Sequence, residues 1–336
     1  MEKISKKNKL KIAEENILRE SDEKNIEKLK SIRGFDFNKL FNFGDFIKSY
    51  ETTGIQASNL YKAIKIIKDM KKSGAFIYLG YTSNLVTSGL RDIFCYLAKY
   101  NLIDVIVTTA GGVEEDIIKC LGDFKLGSFN MEGKKLRKEG INRAGNIFIP
   151  NSRYCRFEEF ILPILEEHKK DILTPSKLIN LLGKEINNKD SIYYWCYKNK
   201  IPVFCPALTD GSLGDMIYFF KSKNPDFKID ISDDIVNLNN STIGKEKTGI
   251  ILLGSGIIKH HICNANMFRN GADYAVYINT QPEFNGSDSG ARPDEAVSWG
   301  KITSNANTIK VYADASLVFP LIVAAGAFEK DSDLNI

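Results

Sequence analysis

The chain has 336 residues, 43% of them hydrophobic and 26% charged, with a formal net charge of +4. That length suits one large α/β domain or two smaller ones, and mixed charges without a long Lys/Arg stripe give no case for nucleic-acid binding. The sequence holds no apolar run of about 18 residues to span a membrane and no secretory signal. Its six cysteines lack a CxxC pair and it has only three histidines, so reduced cytosolic thiols are expected rather than disulfides or a metal centre.

Residues 1–30 are about half charged and read as a solvated helix or an arm. No Gly/Ser- or Pro-rich linker interrupts the remainder, so 31–336 is expected to be a single α/β catalytic domain. Short apolar runs then recur: "AFIYLG" (75–80), "DVIVTTAGG" (104–112), "NIFIP" (146–150), "IPVFCPA" (201–207), "TGIILLGSG" (248–256), "YAVYINT" (274–280) and "IKVYADA" (309–315). Each is apolar on both faces and bounded by Gly, Pro or polar residues, as buried parallel strands are. Stretches with helical spacing lie between them, such as "NLVTSGLRDIFCYLAKY", "EEDIIKCLGDF" and "KHHICNANMFRNGA". The pattern predicts a doubly wound, mostly parallel Rossmann-like sheet with helices on both faces.

Ligands of such sheets bind outside the carboxyl ends of the strands. The segments there combine small residues with carboxylates: "YTSNLVTSG", "TTAGGVEED", "LTDGSLGD", "GSGIIKHH", "TQPEFNGSDSG" and "DAS". The small-residue loops are either tight turns or places where backbone N–H groups and helix starts meet a phosphate; no GxGxxG is present. Glu114, Glu115, Asp116, Asp210, Asp215, Glu283, Asp288, Asp294, Glu295 and Asp314 each fit a helix cap or a ligand. Together they make a negative mouth on a net-positive protein, which attracts cations, and a polyamine is the simplest small polycation of a cytosol.

The stretch "SDSGARPDEAVSWGKI" (287–302) gathers acids around Trp299, Gly300 and Lys301. A lysine forms an imine only as the neutral amine, which burial beside an apolar wall favours. Trp299 supplies that wall only if a helix breaks at Gly300, because residues i and i+2 do not share a helix face. The alternative is a surface lysine at a helix C-terminus. The pair His260–His261 near a helix start is open between core, cap and ligand roles.

These motifs, with "KVYADASLVFPLIVA", "PALTDGSLGDM", "NGADYAVYINT" and "TTAGGVEEDIIK", resemble the deoxyhypusine synthase family from about residue 33 to 324. The resemblance implies NAD as cofactor and spermidine as donor. It implies transfer of the 4-aminobutyl group, through an imine on the lysine of "SWGK", to a lysine of the hypusine-bearing translation factor precursor. Lys301 is that lysine, and His260 is assigned proton handling, which a histidine can do near neutral pH.

By the same resemblance, NAD is contacted by Ser83, Asn84, Leu85, Val86 and Thr87, then by Thr109, Ala110, Gly111 and Glu115. Asp210, Ser255, Thr280, Gln281, Asp314 and Ala315 complete the cofactor set, Ser255 standing where the family usually has a glycine. Spermidine is held by Glu114, Glu115, Asp215, His260 and Tyr277, and by Gly286, Ser287, Asp288, Glu295, Trp299 and Lys301. A cytoplasmic homotetramer with active sites at the dimer interface is implied, with residues 1–30 as an arm over a neighbouring entrance. The alternatives are a homospermidine synthase, which passes the same group to putrescine, and a catalytically silent regulatory paralogue.

Overall fold

In chain order the strands are β1 (Phe76–Tyr81), β2 (Val105–Thr108), β3 (Lys125–Leu126), β4 (Ile141–Ala144), β5 (Ile147–Pro150), β6 (Val203–Phe204), β7 (Thr248–Leu253), β8 (Ala272–Asn279) and β9 (Ile302–Tyr312). The structure is a computed structural model that describes residues 6–329 apart from 20 and 22. Six strands form a parallel sheet in the order β6-β2-β1-β7-β8-β9. The order doubles back between β1 and β7, which is the doubly wound arrangement and opens a crevice there.

The apolar runs explain the layers. Alternate residues of one strand enter opposite cores: Ile251 and Leu253 of β7 join one cluster, Ile250 and Leu252 the other. The first cluster is closed by helices Ile55–Lys72, Leu90–Lys99 and Ala110–Leu121, the second by helix Ile257–Met267. Each fully buried Leu or Ile contributes about 1.5–3 kcal/mol, so a strand apolar on both faces holds only between two helical layers.

Three expectations need correction. "NIFIP" is not a buried parallel strand: β5 pairs antiparallel with β3 and β4 in a small separate sheet. Ala144 faces Ile147 across the two-residue turn Gly145–Asn146, and Gly145 takes φ +61, the hairpin signature. The predicted helix across 84–100 is two, Ser83–Thr87 and Leu90–Lys99, parted at Ser88–Gly89. Strand β9 is longer than "IKVYADA" and begins immediately after Lys301.

Of the expected arm, residues 1–5 lie outside the described residues; Lys6–Ile17 is a helix with no buried residue. Among the described residues no helix is long and apolar enough to cross a membrane. The six cysteines carry free thiols, three of them buried.

Candidate active site

At the carboxyl edge of the sheet, the ends of β1, β7, β8 and β9 surround a cleft of about 360 Å³. Of the residues assigned to cofactor, Asn84, Leu85, Ser255, Thr280, Gln281, Asp314 and Ala315 line it. Gly254 and Gly256 flank Ser255 at φ +88 and +69, conformations that favour glycine. A Cβ on Gly254 would meet Thr82 Oγ1 at 2.6 Å, so glycine keeps this wall of the cleft thin. Asn279, 5% exposed, accepts from Gln281 N at 3.1 Å through Oδ1, while its buried Nδ2 has no partner. Asp314 caps helix Ala315–Ala324, accepting from Ser316 N at 2.8 Å. A crevice with small walls, a helix start and one unused buried donor suits an extended, hydrogen-bonding ligand such as a dinucleotide.

Ser83, Val86, Thr87, Thr109, Ala110, Gly111, Glu115 and Asp210 do not line that cleft. Val86 and Ala110 are fully buried in the core and offer only backbone to a ligand. Thr109 Oγ1 at the start of helix Ala110–Leu121 is buried and unpartnered.

An acidic group gathers at the ends of β2 and β6. Glu114, 5% exposed, accepts from Leu213 N at 2.6 Å, at the start of helix Ser212–Lys223. Glu115 accepts from the Thr87 hydroxyl. Burial pushes the Glu115 carboxyl up to about 7; the Thr87 hydrogen bond opposes this and Glu114 adds to it. Asp215, in the first turn of Ser212–Lys223, is exposed. Asp116 is structural: it accepts from Arg91 Nε at 2.7 Å, Ser191 Oγ at 2.6 Å and Ile192 N at 3.1 Å.

Lys301 lies in a different place from the carboxyl edge. Helix Pro293–Ser298 ends where Gly300, at φ +69, donates to Val297 O at 2.9 Å and Lys301 donates to Ala296 O at 3.0 Å. This is a Schellman C-terminus. It turns the lysine back against the helix, and Nζ lies 5.5 Å from the Trp299 ring centroid. Lys301 is 7% exposed, whereas Trp299 keeps 64% of its surface exposed. Asp288, Glu295, Trp299 and Lys301 line one cavity of about 20 Å³, together with Lys259, Cys263 and Arg292. Asp288 Oδ2 is buried with no hydrogen-bond partner, the Lys259 ammonium standing 4.0 Å away, so the cavity keeps an acceptor with hydrogen-bonding capacity for an amine.

Tyr277 is fully buried, its hydroxyl 3.3 Å from Cys263 Sγ. His260 is exposed, bonded to Asn264 at 3.2 Å through Nδ1, and lines neither cavity. Gly286 and Ser287 are exposed on the loop after β8.

Sequence reasoning passed over Lys259 and Lys310, which are 2% and 8% exposed. Burial pulls the Lys259 ammonium below its ordinary value, with Asp288 opposing. The signal available was a lone lysine inside an apolar element, as in "IKVYADA", which demands partners.

A family model for deoxyhypusine synthase matches residues 45–326. A deoxyhypusine synthase of Senecio vernalis is 53% identical over 325 residues, covering 87% of this chain and 88% of its own. One of Arabidopsis thaliana is 51% identical over 330 residues, covering 88% and 90%. A solved structure from Entamoeba histolytica, described as a deoxyhypusine synthase, matches with a TM-score of 0.64 at 39% identity, covering 88% of this chain and 96% of that one. With the family model spanning most of the chain and relatives at about half identity, the chain belongs to the deoxyhypusine synthase family and is an enzyme of that family.

Proposed function

We propose that the enzyme transfers the 4-aminobutyl group of spermidine to one lysine of the hypusine-bearing translation factor precursor, by way of an imine on Lys301. The observation that carries this reading is a lysine buried against tryptophan, in one cavity with Asp288 and Glu295. NAD, if bound in the cleft, would supply the redox chemistry, as acceptor of the hydride on the carbon beside the secondary amine nitrogen of spermidine and as its donor to the final imine. Its contacts would come from Asn84, Ser255, Thr280, Gln281 and Asp314, with the unpartnered Asn279 Nδ2 as a further donor.

On this reading the carboxylates hold the ammonium ends of the polyamine and offset the cost of burying charge. The Trp299 ring lines the methylene chain. The Lys301 amine attacks the oxidised carbon, 1,3-diaminopropane leaves with the proton it needs, and the acceptor lysine then displaces Lys301. His260, which lines neither cavity within one chain, would move protons only where a second copy completes the site, and exclusion of water would protect the imine.

The same reading includes a homo-oligomer with shared sites, which the spread of the acidic groups along the sheet supports. Strand β2, which leads to Glu114 and Glu115, stands three strands from β8 in the sheet, about 14 Å at the usual strand spacing. A second copy bringing its acidic group to the exposed face of Trp299 would complete the site. Ile32, Phe37, Leu40 and Phe41 also leave apolar surface exposed, as interfaces do.

The test is borohydride trapping of the full-length enzyme with NAD and spermidine, followed by peptide mapping, with putrescine or the precursor factor as acceptor. An aminobutyl adduct on Lys301 and mass gain by the factor are expected. An adduct elsewhere, or none, defeats the reading, and rapid homospermidine formation without modification of the factor assigns putrescine as the acceptor.

A further inference from the structure

The loop 280–292, between β8 and helix Pro293–Ser298, borders both cavities. Gln281 and Ser289 line the cleft, whereas Asp288 and Ala291 line the Lys301 pocket. Lys310, on β9 opposite Tyr277, lies buried against this loop. Its ammonium donates to Gly290 O at 2.5 Å and to Gln281 O at 3.1 Å, with the Glu283 carboxylate 3.6 Å away. The three acceptors come from the two ends of one loop and meet on a single nitrogen. The ends are also in van der Waals closure, since a Cβ on Gly290 would lie 1.7 Å from Pro282 O. Lys259 holds the far side of the same loop by donating to Ala291 O at 3.0 Å and to Asp288 O, and Arg292 pairs with Glu283.

A buried ammonium persists only where its donors are answered, and among the described residues every hydrogen-bond and ion-pair partner of Lys310 Nζ belongs to the loop. An ammonium presents three rotatable donors, which matches two carbonyls and a carboxylate converging from different directions.

We propose that Lys310 is a positioning residue for polyamine binding. It closes the neck of the loop at Gln281 and Gly290 and so fixes where Asp288 enters the Lys301 pocket. This rests on the aminobutyl-transfer reading. Neither ring, cofactor nor reacting carbon needs to touch it.

The test uses the full-length enzyme. The parent is assayed first for 1,3-diaminopropane release with NAD and spermidine, and Lys310→Met is then compared. The expected result is a spermidine KM raised about tenfold with kcat within about threefold, and a Lys301 adduct still trapped at saturating spermidine. A parent-like KM, or a fall in activity that merely follows the folded fraction, overturns the proposal. Should Lys310→Met fail to fold, Gly290→Ala opens the same neck without touching the lysine, and the same rise in KM is expected. An unchanged KM in Gly290→Ala, or collapse of both variants, overturns it, since the lysine would then hold the fold and not the loop. A parent without turnover or adduct defeats the transfer reading and the proposal with it, whereas an active parent with unaffected variants defeats only the role of Lys310.

Discussion

The Thr87 hydroxyl donates to the Glu115 carboxylate, tying the short helix after β1 to the helix after β2. Burial holds that carboxyl up at about 7, against an ordinary 4.5. The native state therefore binds this proton more tightly than the unfolded chain does. The group's contribution to stability is best below 4.5, is lost as pH rises from 4.5 to about 7, and is flat above. Glu115→Gln should stabilise the protein more at pH 8 than at pH 5, by about 1–2 kcal/mol. Thermal melts of both proteins at the two pH values check this, and an equal shift at both would refute it.

Removing the proposed nucleophile should separate chemistry from cofactor binding. Lys301→Ala is expected to lower transfer by at least about a thousandfold and abolish the borohydride adduct, with NAD affinity changed by less than about threefold. Calorimetric NAD titration beside the trapping experiment provides both readings.

Gly300 tests the turn that delivers Lys301. Nothing stands within 4 Å of a Cβ built there, so Gly300→Ala meets only the strain of φ +69, about 1 kcal/mol. The variant should fold with a small loss of Tm, yet show altered Trp299 emission and activity down by about tenfold. Full activity would mean that the Schellman turn is not needed to place the amine.

Asp116 separates structure from catalysis within the run 114–116. Its carboxylate satisfies Arg91, Ser191 and Ile192 N in the interior. Asp116→Asn should therefore cost about 3–5 kcal/mol of stability. The spermidine KM of the fraction that remains folded should be unchanged, measured by denaturant titration and steady-state kinetics.

The sheet was legible because β1 and β7 are apolar on both faces and end in Gly, Thr or Ser, a pattern that few environments other than a two-sided helical cover can satisfy. β5 misled because four apolar residues look alike whether they enter a parallel sheet or a hairpin. The difference lay in the Gly145–Asn146 turn beside it. The helix break at Gly300 could be posed from sequence as a condition on Lys301, and the structure meets it. The place of Lys301 at the amino end of β9, away from the carboxyl edge, could not be read, because it depends on how far β9 extends. Nor could the burial of Lys259 and Lys310, whose partners are backbone carbonyls of a loop that sequence patterns do not place.

The pairing of β1 with β7 has a consequence for synthesis. Phe76 faces Thr248 across the middle of the sheet, so about 170 residues must emerge before the second side of β1 finds its neighbour. At about 5–20 residues per second that is on the order of ten to thirty seconds. During that interval a nascent chain can pair β1 with β2 but carries the other edge of an apolar strand bare, a template for mispairing with neighbouring chains. Slow, chaperone-sensitive maturation on the ribosome is thus written into the strand order, and truncations ending before residue 253 should aggregate rather than accumulate as folded halves.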